Sequence, residues 1–223
     1  MKIAILGTSR GRTTVLYYKI LNQYPSLTSM YEFFNTNLKI KSFTETSKML
    51  STMDNYIIKI LTHDLFHNDS TIEQLNLENY SLIYMIERPD FFHQCCSLEF
   101  SGYHNIWHQT IQGKNRYDAI NKISIKLQLD TILFQAKGVH KQIEMKKYLI
   151  ENKIKFEIND YNDPIFTKSK QVIDPKLNYE NVITNYDCKE LVESLFKKHF
   201  NYDTLKNDLD SFNEELLLNF VVP

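Results

Sequence analysis

A chain of 223 residues, 43% of them apolar, can bury the core of one large domain or two small ones, which excludes intrinsic disorder as its dominant state. Its 26 Lys and Arg nearly balance 27 Asp and Glu, and a net charge of -1 excludes broad electrostatic capture of nucleic acid. The longest apolar run, Leu82 to Ile86, falls far short of the ~20 residues that cross a bilayer, and Met1-Lys2 leads straight into a strand-like segment, so a soluble, cytoplasmic chain without a membrane partner is expected.

Lys2 to Leu6 reads as a strand that stops at Gly7, and a helix is expected from near Thr13, with Leu16, Ile20 and Tyr24 spaced four apart. Further strands are expected over Thr28 to Phe33, Tyr56 to Leu61, Ser81 to Glu87 and Lys155 to Ile158, each rich in β-branched and aromatic residues. Between them lie helical patterns at Thr44 to Met53, Ser70 to Leu77, Asp90 to about Tyr103, and Asp118 to Glu151 with a break near Gly138. Two amphipathic helices are expected over Cys188 to Leu218, around Asn201-Tyr202. Alternating strand and helix is the pattern of an α/β fold, a mostly parallel central sheet with helices on both faces in three layers. No linker rich in Gly, Pro or Ser interrupts it, so one domain over 1–223 with C-terminal helices from about 187 is the simplest organisation.

Residue usage singles out a few positions. There are five glycines, and two of them, Gly7 and Gly11, bracket the first strand–helix junction. Only four of the 26 basic residues are Arg, at Arg10, Arg12, Arg88 and Arg116, so these are the first candidates for places where the planar guanidinium fork resists replacement by Lys, with chance as the plainer alternative for any one of them. Cys95, Cys96 and Cys188 make neither a disulfide framework nor a metal-binding spacing. His104 and His108 are four apart but have no third ligand at a suitable spacing, so no metal is expected.

The segment Gly7-Thr8-Ser9-Arg10-Gly11-Arg12-Thr13-Thr14 stands where a parallel sheet places its ligands, outside the carboxyl end of a strand and at the start of a helix. Two guanidinium groups, hydroxyls and close-approach glycines suit a phosphate or sulfate. The spacing is not that of a Walker A loop, which has four residues between its glycines and then Gly-Lys. The plainer alternative is a strand–helix turn in which Thr13 or Thr14 is an ordinary N-cap.

This segment resembles the 5′-phosphosulfate loop of the sulfotransferases that use 3′-phosphoadenosine 5′-phosphosulfate (PAPS), commonly G-x-P-R-S-G-T-T. Gly7, Arg10, Thr13 and Thr14 match in register. Ser9 stands for the proline, Gly11 for the serine and Arg12 for the glycine, and bacterial and phage members with R-S-R-T are similar at Arg12. The resemblance implies that this loop grips the 5′ end of PAPS. The strand ending in Glu87-Arg88-Pro89, followed by a helix with Cys96 and Ser97, is similar to the family's 3′-phosphate element, an Arg at a strand end and a Ser about eight residues later. Position eight here is Cys96 and position nine Ser97. An ion pair of Arg88 with Glu87 is the alternative for the arginine.

Met30-Tyr31-Glu32-Phe33-Phe34-Asn35 resembles the E-Y-F segment of bacterial sulfotransferases acting on sugars, and Tyr56 to His63 resembles the family's strand ending in Lys and sometimes Thr-His. The resemblance implies Glu32 as the general base, with His63 second, and Lys59 and Arg10 as charge stabilisers of the leaving group. Their alternatives are a helix-capping Glu32, a loop His63 and a snorkelling Lys59. Trp107 reads as core, with a sugar or adenine surface as the alternative, and Lys168 and Lys170 lie where the family has a basic glycine-containing segment, although no glycine follows Gly138. The implied fold is the P-loop NTPase-like sulfotransferase architecture. The implied activity is sulfuryl transfer from PAPS, without a metal, to a hydroxyl of a carbohydrate or small molecule. A P-loop kinase of nucleotides or small molecules, and a nucleotide-binding protein without catalysis, are the alternative readings.

Overall fold

A computed structural model describes residues 1–34, 43–67, 71–88, 91–104 and 128–160. Five parallel strands form one sheet: β1 (Lys2–Gly7), β2 (Thr28–Ser29), β3 (Tyr56–Leu61), β4 (Leu82–Glu87) and β5 (Glu157–Asp160), in the spatial order β2-β3-β1-β4-β5. The helices are α1 (Thr13–Gln23), α2 (Phe43–Ser51), α3 (Thr62–His67), α4 (Phe91–His104) and α5 (Leu129–Glu151). The α/β class expected from the alternating pattern is the one observed. Among the described residues no helix is long and apolar enough to cross a membrane. Among the described residues the chain divides into two compact units, one holding those up to Arg88 and those from Lys141 to Asp160, the other holding α4 and the first half of α5. The expected helices after 187, and Trp107, His108, Arg116, Lys168, Lys170 and Cys188, lie outside the described residues.

The sheet belongs to the first unit, and its centre is β1. Ile3, Ala4, Ile5 and Leu6 are all fully buried, as an unbroken apolar run must be when a strand has neighbours on both edges and cover on both faces. Strand alternation sorts the core into two clusters. Ile3 and Ile5 join Ile57 and Ile86 under Val15, Leu16, Tyr17 and Ile20 of α1. Ala4 and Leu6 join Ile58, Ile60, Ile83 and Met85, covered by Leu50 of α2, Leu75, Leu77, and Met145 and Leu149 of α5. Lys59 is the register partner of Ile5, so β3 turns this one charged side chain into the face that packs α1.

Three expectations need correction. The strand expected over Thr28 to Phe33 is regular only at Thr28–Ser29; ladder bonds continue from Met30 N–H to the Ile57 carbonyl (2.9 Å) and from Lys59 N–H to the Tyr31 carbonyl (2.8 Å), and the chain then turns at 31–34. The helix expected over Ser70 to Leu77 is instead two 3-10 turns, Glu73–Leu75 and Leu77–Asn79, parted by Asn76. Asn76 is left-handed at φ 49, and its Nδ2 donates to the Ser47 hydroxyl of α2 (3.0 Å), so a side-chain bond to another element takes the place of a helical continuation. The break expected at Gly138 is absent: α5 runs through it, and Gly138 lies on the buried stripe of Gln135, Gln142, Met145 and Leu149. A single helical Gly costs about 1 kcal/mol against Ala, which a helix of this length, packed along one stripe, absorbs.

Candidate functional site

The connection that leaves β1 goes to β2 on one side of the sheet, and the one that leaves β4 goes to β5 on the other. Neighbouring strands whose connections diverge leave a crevice beyond their carboxyl ends, and here those ends are Gly7 and Glu87, the latter followed at once by Arg88. Gly7 is required by close approach: a Cβ on it would stand 2.7 Å from Thr13 Cγ2. The loop that follows turns on Gly11 N–H donating to the Thr8 carbonyl at 3.3 Å.

The left-handed backbone of this loop falls on the arginines. Arg10 (φ 61) and Arg12 (φ 62) adopt it, at a cost of roughly 1–2 kcal/mol for each non-glycine residue. Arg12 is the N-cap of α1 and makes no side-chain capping bond, so neither Thr13 nor Thr14 fills the N-cap position. The methyl of Thr13 packs toward Gly7, and Thr14 is turned to the sheet. The Arg88 guanidinium reaches back across the crevice, its Nη1 donating to the Arg10 carbonyl at 2.9 Å.

Beneath Thr14 sits a buried charged cluster. Lys59, 1% exposed, donates from Nζ to Thr14 Oγ1 (2.7 Å) and to the Tyr31 hydroxyl (3.2 Å), and it is ion-paired with Glu32 Oε1. An ammonium has three N–H donors, and these three acceptors match them. Nζ also lies 4.3 Å from the centroid of the Tyr31 ring. Burial pushes the Lys59 pKa down, while Glu32 and then Asp64 push it back up. Tyr31 is raised to about 12, chiefly by burial. Its backbone is fixed by Tyr17, whose hydroxyl accepts the Tyr31 N–H at 2.9 Å and is bonded to the Ser29 hydroxyl at 2.6 Å.

Two residues of α3 complete the set. His63 is buried, with Nδ1 3.3 Å from the Ser9 backbone nitrogen and 3.2 Å from Ser9 Oγ. Asp64, 6% exposed, accepts the Leu61 N–H at 3.3 Å. Its carboxyl is raised to about 7 by burial and then by the negative charge of Glu32, against the Leu61 bond and Lys59.

The first unit therefore contains Gly7, Ser9, Arg10, Gly11, Arg12, Thr13, Thr14, Glu32, Lys59, His63 and Arg88, and it joins Glu32, Lys59 and Thr14 by direct contacts. Cys96 and Ser97 lie on α4 in the second unit, both buried. Sequence reasoning missed Asp64 and Tyr31. The signal was present in both cases, Asp64 directly following Thr62-His63 after a strand and Tyr31 preceding the chosen Glu32. Among the described residues no group of three or more His, Cys, Asp or Glu could hold a metal ion. No family model matches the chain, and neither a curated protein nor a solved structure matches it significantly.

Proposed function

We propose that the protein is a PAPS-dependent sulfotransferase with the P-loop-like architecture of that family, acting on a hydroxyl of a carbohydrate or small molecule. The observation that carries the reading is the backbone at Arg12. Its φ of 62 lies in the region that favours glycine, and glycine is what the resembling 5′-phosphosulfate motif has at that position. The bend of the loop thus agrees with the motif where the residue itself departs from it. The Arg88–Arg10 bond at the crevice between β1 and β4 supports the pairing of two phosphate-binding arginines on one nucleotide.

In this reading the acceptor oxygen attacks sulfur in line, and the bond between sulfur and the bridging oxygen of the 5′-phosphate breaks. The electron pair leaves on adenosine 3′,5′-bisphosphate. The acceptor proton passes to the Glu32 carboxylate. Lys59, its donors engaged within the protein, acts as a fixed positive charge beneath the loop and polarises Thr14, whose hydroxyl keeps its own proton to donate. Arg10 and Arg12 hold the phosphosulfate by charge-assisted bonds.

Thermal shift with adenosine 3′,5′-bisphosphate, with Mg-ATP and without ligand tests the ligand class. Selective stabilisation by the bisphosphate is expected, whereas a preference for Mg-ATP moves the protein to the kinases. Transfer of label from PAPS to a panel of sugars and phenols then tests the reaction, and stabilisation without transfer to any acceptor leaves a binding protein. Glu32→Gln is expected to keep bisphosphate affinity and to lower turnover about 10²–10⁴-fold. Unchanged kcat in that variant removes Glu32 from proton transfer.

A further inference from the structure

The β1–α1 loop is held at two successive residues by side chains that lie just past the two strands flanking β1. On one side, Arg88 at the end of β4 donates to the Arg10 carbonyl at 2.9 Å. On the other, His63, two residues past β3, meets Ser9 through Nδ1, at 3.3 Å from its backbone nitrogen and 3.2 Å from its hydroxyl oxygen. A backbone N–H only donates, so Nδ1 must carry a lone pair, and a neutral ring then keeps its proton on Nε2. The one lone pair of the ring is then the Nδ1 pair engaged by Ser9, and the protonated Nε2 offers none to take a proton from an incoming alcohol.

We infer that His63 is a positioning residue, which fixes the anion-binding loop through Ser9 and is not the base of the reaction. The need for such a clamp is local. Ser9 precedes Arg10, the first of the loop's two non-glycine residues held in left-handed backbone, and conformations of that kind persist only where the surroundings over-determine them. Buried at 3% exposure, His63 supplies that restraint from an element fifty-four residues away in the chain. The inference deepens the proposed sulfotransferase reading, since the ligand it serves is the phosphosulfate end of the nucleotide.

The first test needs no variant and no ligand: ¹⁵N NMR of the imidazoles in the full chain near pH 8 is expected to show His63 as the Nε2–H tautomer. The Nδ1–H tautomer overturns the inference. The second uses His63→Asn, whose amide oxygen can stand where Nδ1 stands, and His63→Gln, whose amide reaches toward Nε2. Affinity for adenosine 3′,5′-bisphosphate and for inorganic sulfate is expected to stay within about threefold in the Asn variant and to fall about tenfold in the Gln variant, the worth of one hydrogen bond. Equal loss in both variants, or unchanged affinity with collapsed turnover in the Asn variant, overturns the clamp. If the wild type binds neither probe, the sulfotransferase reading fails, and the tautomer together with a higher melting temperature for Asn than for Gln still decides the role of His63.

Discussion

Arg12 carries a backbone conformation and a charge at one position, and the two can be separated. Arg12→Gly and Arg12→Ala remove the same guanidinium, but only glycine relaxes into φ 62. The Gly variant is expected to be more stable than the Ala variant by roughly 1 kcal/mol, the reverse of the usual order, as read by denaturant midpoints. Equal midpoints would mean that the loop relaxes when the side chain goes. Asp64 offers a different reading of the same site. Burial pushes its carboxyl up to about 7 in the folded protein from the ordinary 3.8, so between those limits the folded state binds more protons than the unfolded chain. The stabilisation is therefore complete below about pH 4 and is lost as pH rises through 7, with a slope of about 1.4 kcal/mol per pH unit. Asp64→Asn keeps an acceptor for the Leu61 N–H and is expected to flatten that slope, gaining on the wild type as pH rises from 5 to 8. An unchanged slope in the variant removes Asp64 as its source. Glu32 and Lys59 were legible in the sequence from their segments, yet their pairing was not. The pairing depends on strand parity in β3 and on a turn at 31–34 that the apolar pattern of Met30 to Phe34 disguised as strand.

The strand–helix junction shows how elements, more than single residues, set the geometry. Thr13 opens α1 with its Cγ2 lying where a Cβ on Gly7 would need to be, 2.7 Å away. A β-branched side chain in a helix has little rotamer freedom to swing aside. Gly7→Ala is therefore expected to cost about 1–3 kcal/mol and to weaken bisphosphate binding by shifting α1 and its loop together. Gly7→Ala with Thr13→Ser removes the clashing methyl while keeping the hydroxyl, and most of the loss should return in a double-mutant cycle. A purely additive pair would put the cause elsewhere. At this scale the sequence was a good guide where periodicity ran long. Tyr56–Leu61 has the expected bounds, and β4 and α4 lie within a residue or so of theirs. It was a poor guide where one residue arbitrates: Asn76 ends a turn by bonding Ser47 from another element, and Gly138 continues a helix because its neighbours along the stripe are buried. Neither partner is visible in the local pattern.

In the whole molecule, the crevice beyond β1 and β4 follows from strand order alone, and the chain reaches it by a long route. After Arg88 it passes through the residues of the second unit and rejoins the first at Lys141, where Lys146 pairs with Glu87 at 2.7 Å and Gln142 Nε2 donates to the Ile86 carbonyl at 2.8 Å. The loop's place at a strand–helix junction was readable at residues 7–14. Its second anchor was readable only as an arginine at a strand end, because contact between Arg88 and Arg10 is a product of topology. That topology also governs the order of events at the ribosome. Lys2 to Gly7 emerges before both of its partners, which are Tyr56 to Leu61 on one edge and Leu82 to Met85 on the other. Until both have been synthesised, Ile3-Ala4-Ile5-Leu6 is an apolar strand with at least one bare edge, and the contacts that close around it are distant in sequence and slow to form. The most central strand of the finished sheet is thus the segment that waits longest for its neighbours, and it is the natural binding point for a chaperone during synthesis and the first place from which a stalled chain would aggregate.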